Sequence, residues 1–397
     1  MQSRPSISAR DAAAFLGVKA QTLYAYASRG LLRRVGTGKR RQYLVEDLER
    51  LQARQRARSG HGPVAAAALS FGEPVLDTRI TGIDQHGPLY RGRSAVELAS
   101  QGVGFEAVAE LLWSGELPAT APLFPPLRLP RAAHACASLD ELLLALPLLV
   151  RALQPTPARA RDSELHLARR LVRGLAELAL PPDARGRSGK LAASLAPLAR
   201  ARRADAIRAI DLALTLVADH ELNASSFAAR VAASTGASLP ACVTAALATL
   251  TGPRHGGACD RVEALLDEAA TLRRPSDVVD RRSRRGEVVP GFGHPLYPRG
   301  DPRAPPLLAA AAKVARRRAG AARAVAPALA IAKVMERQGL PATVDLGLVA
   351  LARALGMRPG AAALLLALGR SAGWVAHVLE QRESEAVLRP RARYLGP

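Results

Sequence analysis

"GPRHGGACD", residues 252–260, sets one histidine among glycines in a chain otherwise rich in alanine, leucine and arginine. Glycine costs backbone entropy inside helices and strands, so a cluster of it marks a turn or a close approach. His255 in such a turn can bring its ring to a ligand without a crowding neighbour. The stretch alone also fits a plain loop with an incidental histidine, because short glycine motifs match by chance. What decides between the two lies outward along the chain.

Three more stretches carry the same kind of signal. In "VADHELNASSFAARVAASTGA", 217–237, His220 stands between Asp219 and Glu221 and reads as part of a helix. In "VPGFGHPLYPRGDPRA", 289–304, His294 again follows glycines, and Arg299 and Arg303 follow it. In "PATVDLGLVALARALG", 341–356, Asp345 lies among apolar residues where a helix begins. A carboxylate so placed is partly desolvated, which raises its pKa and its strength as a base. Each has a bland alternative: a satisfied helical histidine, a turn histidine, an N-cap aspartate. All four together are harder to dismiss.

The 397 residues allow two or three domains and a large core. Aromatics are 4% of a chain that is 49% apolar, so the core must be Ala, Leu and Val, and helical. Lys and Arg exceed Asp and Glu by 56 − 34 = 22. That excess suits polyanionic partners, or reflects arginine enrichment along the whole chain. Cys136, Cys242 and Cys259 form no CxxC pair, so neither a disulfide framework nor a zinc site is expected. With no signal-peptide apolar region at the start, a reducing cytoplasm is the expected location. The run "PGAAALLLALG", 359–369, is too short to span a bilayer and reads as a buried helix. No glycine fingerprint follows a strand, which argues against a Rossmann fold or a P-loop.

The first sixty residues stand apart, with thirteen Lys/Arg against four Asp/Glu. Ser8 can cap a helix through Leu16, Gly17 makes a turn, and a second helix follows with Val18, Leu23, Tyr24 and Ala27 inward. Lys19, Gln21, Thr22 and Tyr26 are then the outward, DNA-facing candidates, joined by Lys39, Arg40 and Arg41 in a basic turn between two short extended pieces. "LVEDLERLQ" reads as a third helix. This pattern resembles the winged helix-turn-helix of mercury-resistance-type regulators and excisionases. DNA is the partner such a module takes; the same fold also serves as a dimerisation or tethering module. Residues 1–57 are assigned to it, and 58–66, broken by Gly60, Gly62 and Pro63, to a linker.

After a small hairpin in "GEPVLDTRITGIDQHGPLYRG" the remainder reads as long helices. The segments "LYRG", "ADHELNAS", "GPRHGGA", "GFGHPLYPRGDPRA", "VDLG", "GRSAGWVAH" and "RPRARYLGP" together resemble the ordered signatures of citrate synthases and 2-methylcitrate synthases. The resemblance implies a mainly α, two-domain fold: a large domain of about 67–256 and 358–397, and a small one of about 257–357. It implies a homodimer, no membrane, no metal and no bound cofactor. The substrates would be oxaloacetate and acetyl-CoA or another short acyl-CoA.

The resemblance also assigns roles. Asp345 is the base that takes the methyl proton, His255 the donor to the thioester oxygen, and His294 the group that polarises the ketone. His220, Arg303, Arg370 and Arg389 bind oxaloacetate, Arg389 from the other subunit. The glycines around His255 are then expected to let the thioester come close. Some positions depart from the pattern. Val217 replaces a second histidine, Pro295-Leu296 replaces an Arg-Val pair, and "VDLGL" lacks an aromatic and a serine. These leave the true 2-oxo acid open. A metabolite-sensing DNA-binding regulator and a citryl-CoA lyase are the alternative readings. The basic run "RRSRRGEVV", 281–289, fits contact with CoA phosphates or a solvated loop, and its two-sign composition favours the loop.

Overall fold

A computed structural model describes residues 6–18, 20–28, 32, 34–35, 42–45, 47–48, 76–130, 133–153, 161–384, 386–390, 394 and 396. The chain divides into two compact units, Met1–Asp77 with Arg389–Pro397, and Thr78–Leu388. The linker expected at 58–66, and Lys19, Lys39, Arg40 and Arg41, lie outside the described residues.

The first unit contains β1 (Ser6–Ser8), α1 (Ala9–Leu16), α2 (Ala20–Ser28), β2 (Arg34–Val35) and β3 (Gln42–Leu44). Ser8 caps α1 by accepting from the Asp11 N–H at 3.2 Å, and Gly17 closes it with φ 63°. The sheet is antiparallel in the order β1-β3-β2. Strand β1 has no counterpart in the sequence reading; it is three residues long and its signal is lost beside the cap. Ala12, Leu16, Leu23, Leu32, Tyr43 and Leu48 form a small core.

One expectation is inverted here. Tyr26 packs on that core, whereas Tyr24 is 47% exposed. At 100° per residue, position 26 returns to within 60° of inward Leu23, while 24 lies 100° away. Tyr26 is therefore part of the module's packing. Gln21 is exposed and Thr22 half-buried.

The second unit opens with the antiparallel strands β4 (Thr81–Asp84), β5 (Gly87–Tyr90) and β6 (Arg93–Ser94). Helices follow: α3 (Ala95–Ser100), α4 (Phe105–Ser114), α5 (Leu139–Leu153), α6 (Arg161–Ala179), α7 (Leu191–Leu195), α8 (Arg203–Leu216) and the hairpin of α9 (Ala224–Ser234) and α10 (Leu239–Leu250). Then come α11 (Ala258–Ala270), α12 (Asp277–Arg284), α13 (Ala304–Ala315), α14 (Ala321–Arg337), α15 (Val344–Leu355) and α16 (Ala361–Arg382).

Helix α16 is long and apolar enough to cross a membrane, and it is the core helix of this unit. It packs against α4, α8, α9, α10 and α15. Its polar residues Arg370, Ser371 and His377 are buried with its apolar ones. A Cβ on Gly373 would overlap the Asp219 carboxylate and lie 2.7 Å from the Ala218 carbonyl oxygen. Glycine there admits the α8–α9 loop against the helix, and the Gly373 N–H donates to Ala218 O at 2.9 Å. The basic run at 281–289 is only partly a loop: it is mostly exposed, but its first four residues are helical and the loop begins after Arg284. Arg282 and Arg285 hold Glu268 at 3.0 and 3.2 Å.

Candidate active site

The α8–α9 loop carries His220. Sequence periodicity puts this residue in a helix; the structure ends α8 at Leu216 and gives Glu221 a φ of 54°. The cause is Tyr90 on β5. Its buried hydroxyl lies 3.1 Å from the carbonyl oxygens of Thr215 and Leu216 and 3.3 Å from that of Asp219. Those contacts hold the loop where another helical turn would have run. His220 Nε2 then meets the Tyr297 hydroxyl at 2.8 Å. The rings of His220 and His294 are 5.6 Å apart, and those of His294 and Tyr297 5.0 Å.

The 289–304 loop supplies the opposite wall. Asp301 binds the Arg303 guanidinium with two parallel bonds of 2.9 and 2.8 Å, both side chains buried. The same carboxylate accepts the Val344 N–H at 2.9 Å, at the first residue of α15. Asp301 therefore joins the arginine to the helix that bears Asp345. The Leu296 N–H donates to His294 Nδ1 at 3.2 Å, so the neutral imidazole carries its proton on Nε2. Burial lowers the His294 pKa and keeps it neutral.

Asp345 stands in the first turn of α15, and the N-cap position belongs to Thr343. The Thr343 hydroxyl donates to Asp345 Oδ2 at 3.0 Å and the Cys259 thiol to Oδ1 at 3.6 Å. Burial raises the carboxyl pKa, against the Thr343 bond and the Arg303 charge.

His255 Nε2 lies 2.9 Å from Ser225 Oγ, which accepts the Trp374 indole N–H at 3.0 Å. The Ser225 hydroxyl has one proton and two acceptors, His255 Nε2 and Asn223 Oδ1 at 2.7 Å. Asn223 Oδ1 already accepts the N–H groups of Ser225 and Ser226 as the cap of α9. When the serine proton goes to His255, the imidazole holds its own on Nδ1. Burial and the nearby Arg370 charge bring the His255 pKa down to about 4, so the ring is neutral at neutral pH.

Gly256, beside His255, has a packing role that the sequence reading did not give it. A Cβ on Gly256 would lie 2.6 Å from Leu250 O and 2.7 Å from Leu250 Cγ. The backbone of α10 demands the glycine, and the Gly256 N–H donates to that same Leu250 carbonyl at 2.9 Å.

Arg370 gives its Nε to the Val217 carbonyl at 3.0 Å. Its two Nη groups make no hydrogen bond among the described residues. Six of the expected side chains share one electrostatic neighbourhood. Arg303, Arg370, His294 and His255 all act on His220, and Arg370 and Asp345 act on each other. Arg389 is exposed and falls in the other compact unit. Sequence reasoning missed Tyr297, Asp301, Thr343, Cys259, Ser225 and Trp374. A tyrosine inside the quoted 289–304 motif, in a chain with six, was the one available signal.

A family model described as citrate synthase, C-terminal domain, matches residues 70–147 and 128–391. The chain belongs to the citrate synthase family. A helix-turn-helix domain model matches residues 7–56. The chain is 38% identical over 194 residues to putative citrate synthase 2 of Mycobacterium tuberculosis, covering 48% of this chain and 52% of that protein. It thus spans about half the length of that relative. With 2-methylcitrate synthase 1 of Corynebacterium glutamicum it is 30% identical over 340 residues, 77% of this chain and 88% of the other. Citrate synthase of Thermoplasma acidophilum, solved with carboxymethyl coenzyme A and oxaloacetate, superposes with a TM-score of 0.66 at 25% identity, covering 84% and 96% of the two chains. The citrate synthase fold and the helix-turn-helix module expected from the sequence are both present.

Proposed function

We propose that the chain condenses acetyl-CoA, or a short acyl-CoA, with oxaloacetate to give citrate or its homologue and free CoA. The observation that carries this is Asp345. It is a carboxylate whose pKa burial raises, set in one cluster with two neutral histidines and two buried arginines. A methyl group next to a thioester is weakly acidic, and its removal needs a base together with a donor at the oxygen where charge develops. Asp345 takes the proton and His255 Nδ1–H donates to the thioester oxygen. The resulting enol carbon attacks the ketone of oxaloacetate. His294 Nε2–H polarises that ketone and gives its proton to the new alkoxide. Water then hydrolyses the citryl thioester, releasing CoA.

Arg370, whose two Nη groups bond nothing among the described residues, and Arg303 suit the substrate carboxylates, because guanidinium binds carboxylate in a forked geometry. His220 adds a further contact, and Arg389 from a second copy of the chain would complete the site in a homodimer. The small domain of about 257–357 would close over it. The chain binds acyl-CoA as co-substrate and works in the cytoplasm. Free thiol released from acetyl-CoA only when oxaloacetate is present tests the reading. No release across a panel of short acyl-CoAs and 2-oxo acids refutes it.

The N-terminal module supports a second, compatible role in DNA binding, with exposed Gln21 on α2 among its contacts. Salt-sensitive retardation of duplex DNA by the full chain tests it.

A further inference from the structure

A cavity of about 670 Å³ opens at the far end of α15 from Asp345. It lies among the α15–α16 connection, α11, α14 and the segment before α8. Asp345 and Arg353 are eight residues apart on α15, roughly 12 Å along the axis. None of the histidines of the candidate active site lines the cavity. Its size falls within the range of roughly 300–1,000 Å³ usual for small-molecule sites.

The lining has two characters. Leu364, Leu365 and Leu368 from α16, with Met357, make an apolar floor. Arg200, Arg318, Arg353 and Arg358 stand around it. Their partners are mostly internal. Arg318 donates to the Ala354 carbonyl at 2.8 Å and caps the end of α15. Arg353 binds Asp267 at 2.5 Å, and Arg358 reaches the carbonyl of Cys136. Glu263 accepts the Gly360 N–H at 3.0 Å. Arg200 is exposed and makes no side-chain hydrogen bond or ion pair among the described residues. Four guanidinium groups therefore face two carboxylates that are already engaged, over an apolar floor.

We propose that this cavity is a second ligand site, taking a small molecule that carries a carboxylate or phosphate on an apolar body. Guanidinium binds either anion in a forked geometry, and the floor receives the body. The site is also placed to act on catalysis. Helix α11 begins three residues after His255 and lends Glu263 and Asp267 to the lining; α15 carries Asp345 in its first turn and lends Arg353. On the proposed domain division, Arg200 and Leu365 belong to the large domain and Arg318 and Arg353 to the small one. A ligand here bridges the two and biases closure. This coupling, unlike the site itself, rests on the synthase reading.

The full chain titrated with 8-anilinonaphthalene-1-sulfonate should show saturable fluorescence at one site per chain. Octanoate or octyl phosphate should displace the probe, and whichever does so names the head group. Arg200→Glu, at an exposed residue without a side-chain partner among the described residues, should weaken the probe about tenfold or more, as loss of a charged contact does. Ala324→Trp, which fills the cavity from α14, should do the same with an unchanged melting temperature. Asp345→Asn should leave probe affinity as it is, so failure of the synthase reading would not mask the result. Absence of saturable binding, no displacement by either competitor, or full affinity in both cavity variants overturns the site. In an active preparation, the displacing competitor should shift KM for oxaloacetate by about fivefold or more. An unchanged KM overturns the coupling.

Discussion

Replacing Gly256 by alanine tests how the turn at His255 is built. The added Cβ would lie 2.6 Å from Leu250 O, where ordinary contact begins at 3.4 Å. Relief requires a displacement of 3.4 − 2.6 = 0.8 Å, and Leu250 Cγ at 2.7 Å and Leu139 Cδ1 at 3.0 Å oppose it from the side. Overpacking of this kind destabilises by about 1–3 kcal/mol. At about 2–4 °C per kcal/mol for a unit of this size, calorimetry should show Tm falling by several degrees. His255 moves with its neighbour, and misplacing a catalytic group by about 1 Å lowers turnover by about 10²-fold. The comparison is Gly252→Ala, whose Cβ would meet only Thr249 O at 3.4 Å. It should leave Tm unchanged and thiol release within about twofold. A Gly256→Ala protein with parental Tm and turnover refutes the packing account. A Gly252→Ala protein as impaired as Gly256→Ala would restore the idea that these glycines make room for substrate.

Asp345→Asn should lower kcat by about 10²–10⁴-fold with oxaloacetate affinity near parental. Its effect on stability has a definite sign. Burial raises the folded carboxyl pKa above 3.8, so the folded state holds the proton more tightly. Stability then falls as pH rises from 3.8 through the raised value, and Asn should be the more stable form at neutral pH but not below pH 3.8. Parallel chemical-denaturation curves across that range check it. Ser225→Ala removes the partner of the Trp374 indole and of His255, and should cost about 1–3 kcal/mol. It should depress kcat more than KM for oxaloacetate in the thiol assay. Deletion of residues 1–57 should leave soluble, active enzyme, measured by the same assay, because Thr78–Leu388 is compact by itself. Arg389→Ala should raise KM for oxaloacetate about tenfold to a hundredfold. Mixed with Asp345→Asn under subunit exchange it should regain activity; proven exchange without recovery refutes a shared site.

The candidate-site histidines were legible because the chain has only eight and two of these stand among glycines. Asp345 was legible from its apolar flanks, and burial does raise its pKa. The groups that hold them were not. Trp374 reaches Ser225 across 149 residues, a proximity no local pattern encodes. The loop carrying His220 looks helical in sequence because Tyr90, on a distant strand, is what stops the helix. Tyr24 and Tyr26 differ by two positions on one helix, and choosing the wrong one needs only a phase error. The glycines of 252–260 invited a ligand-side explanation because the Leu250 carbonyl that Gly256 accommodates is invisible without the fold.

Helix α16 is buried along nearly its whole length, yet Arg370 and Trp374 on it serve the candidate chemistry. No surface separates the part that holds the molecule together from the part that meets substrate. Random substitution there will lose expression and activity together, and selections for a new 2-oxo acid should find few survivors in it. The 289–304 loop is different: Pro295, Pro298 and Arg299 are exposed beside His294 and Tyr297. Laboratory evolution of specificity has its room to move there, around a helix that must be left untouched.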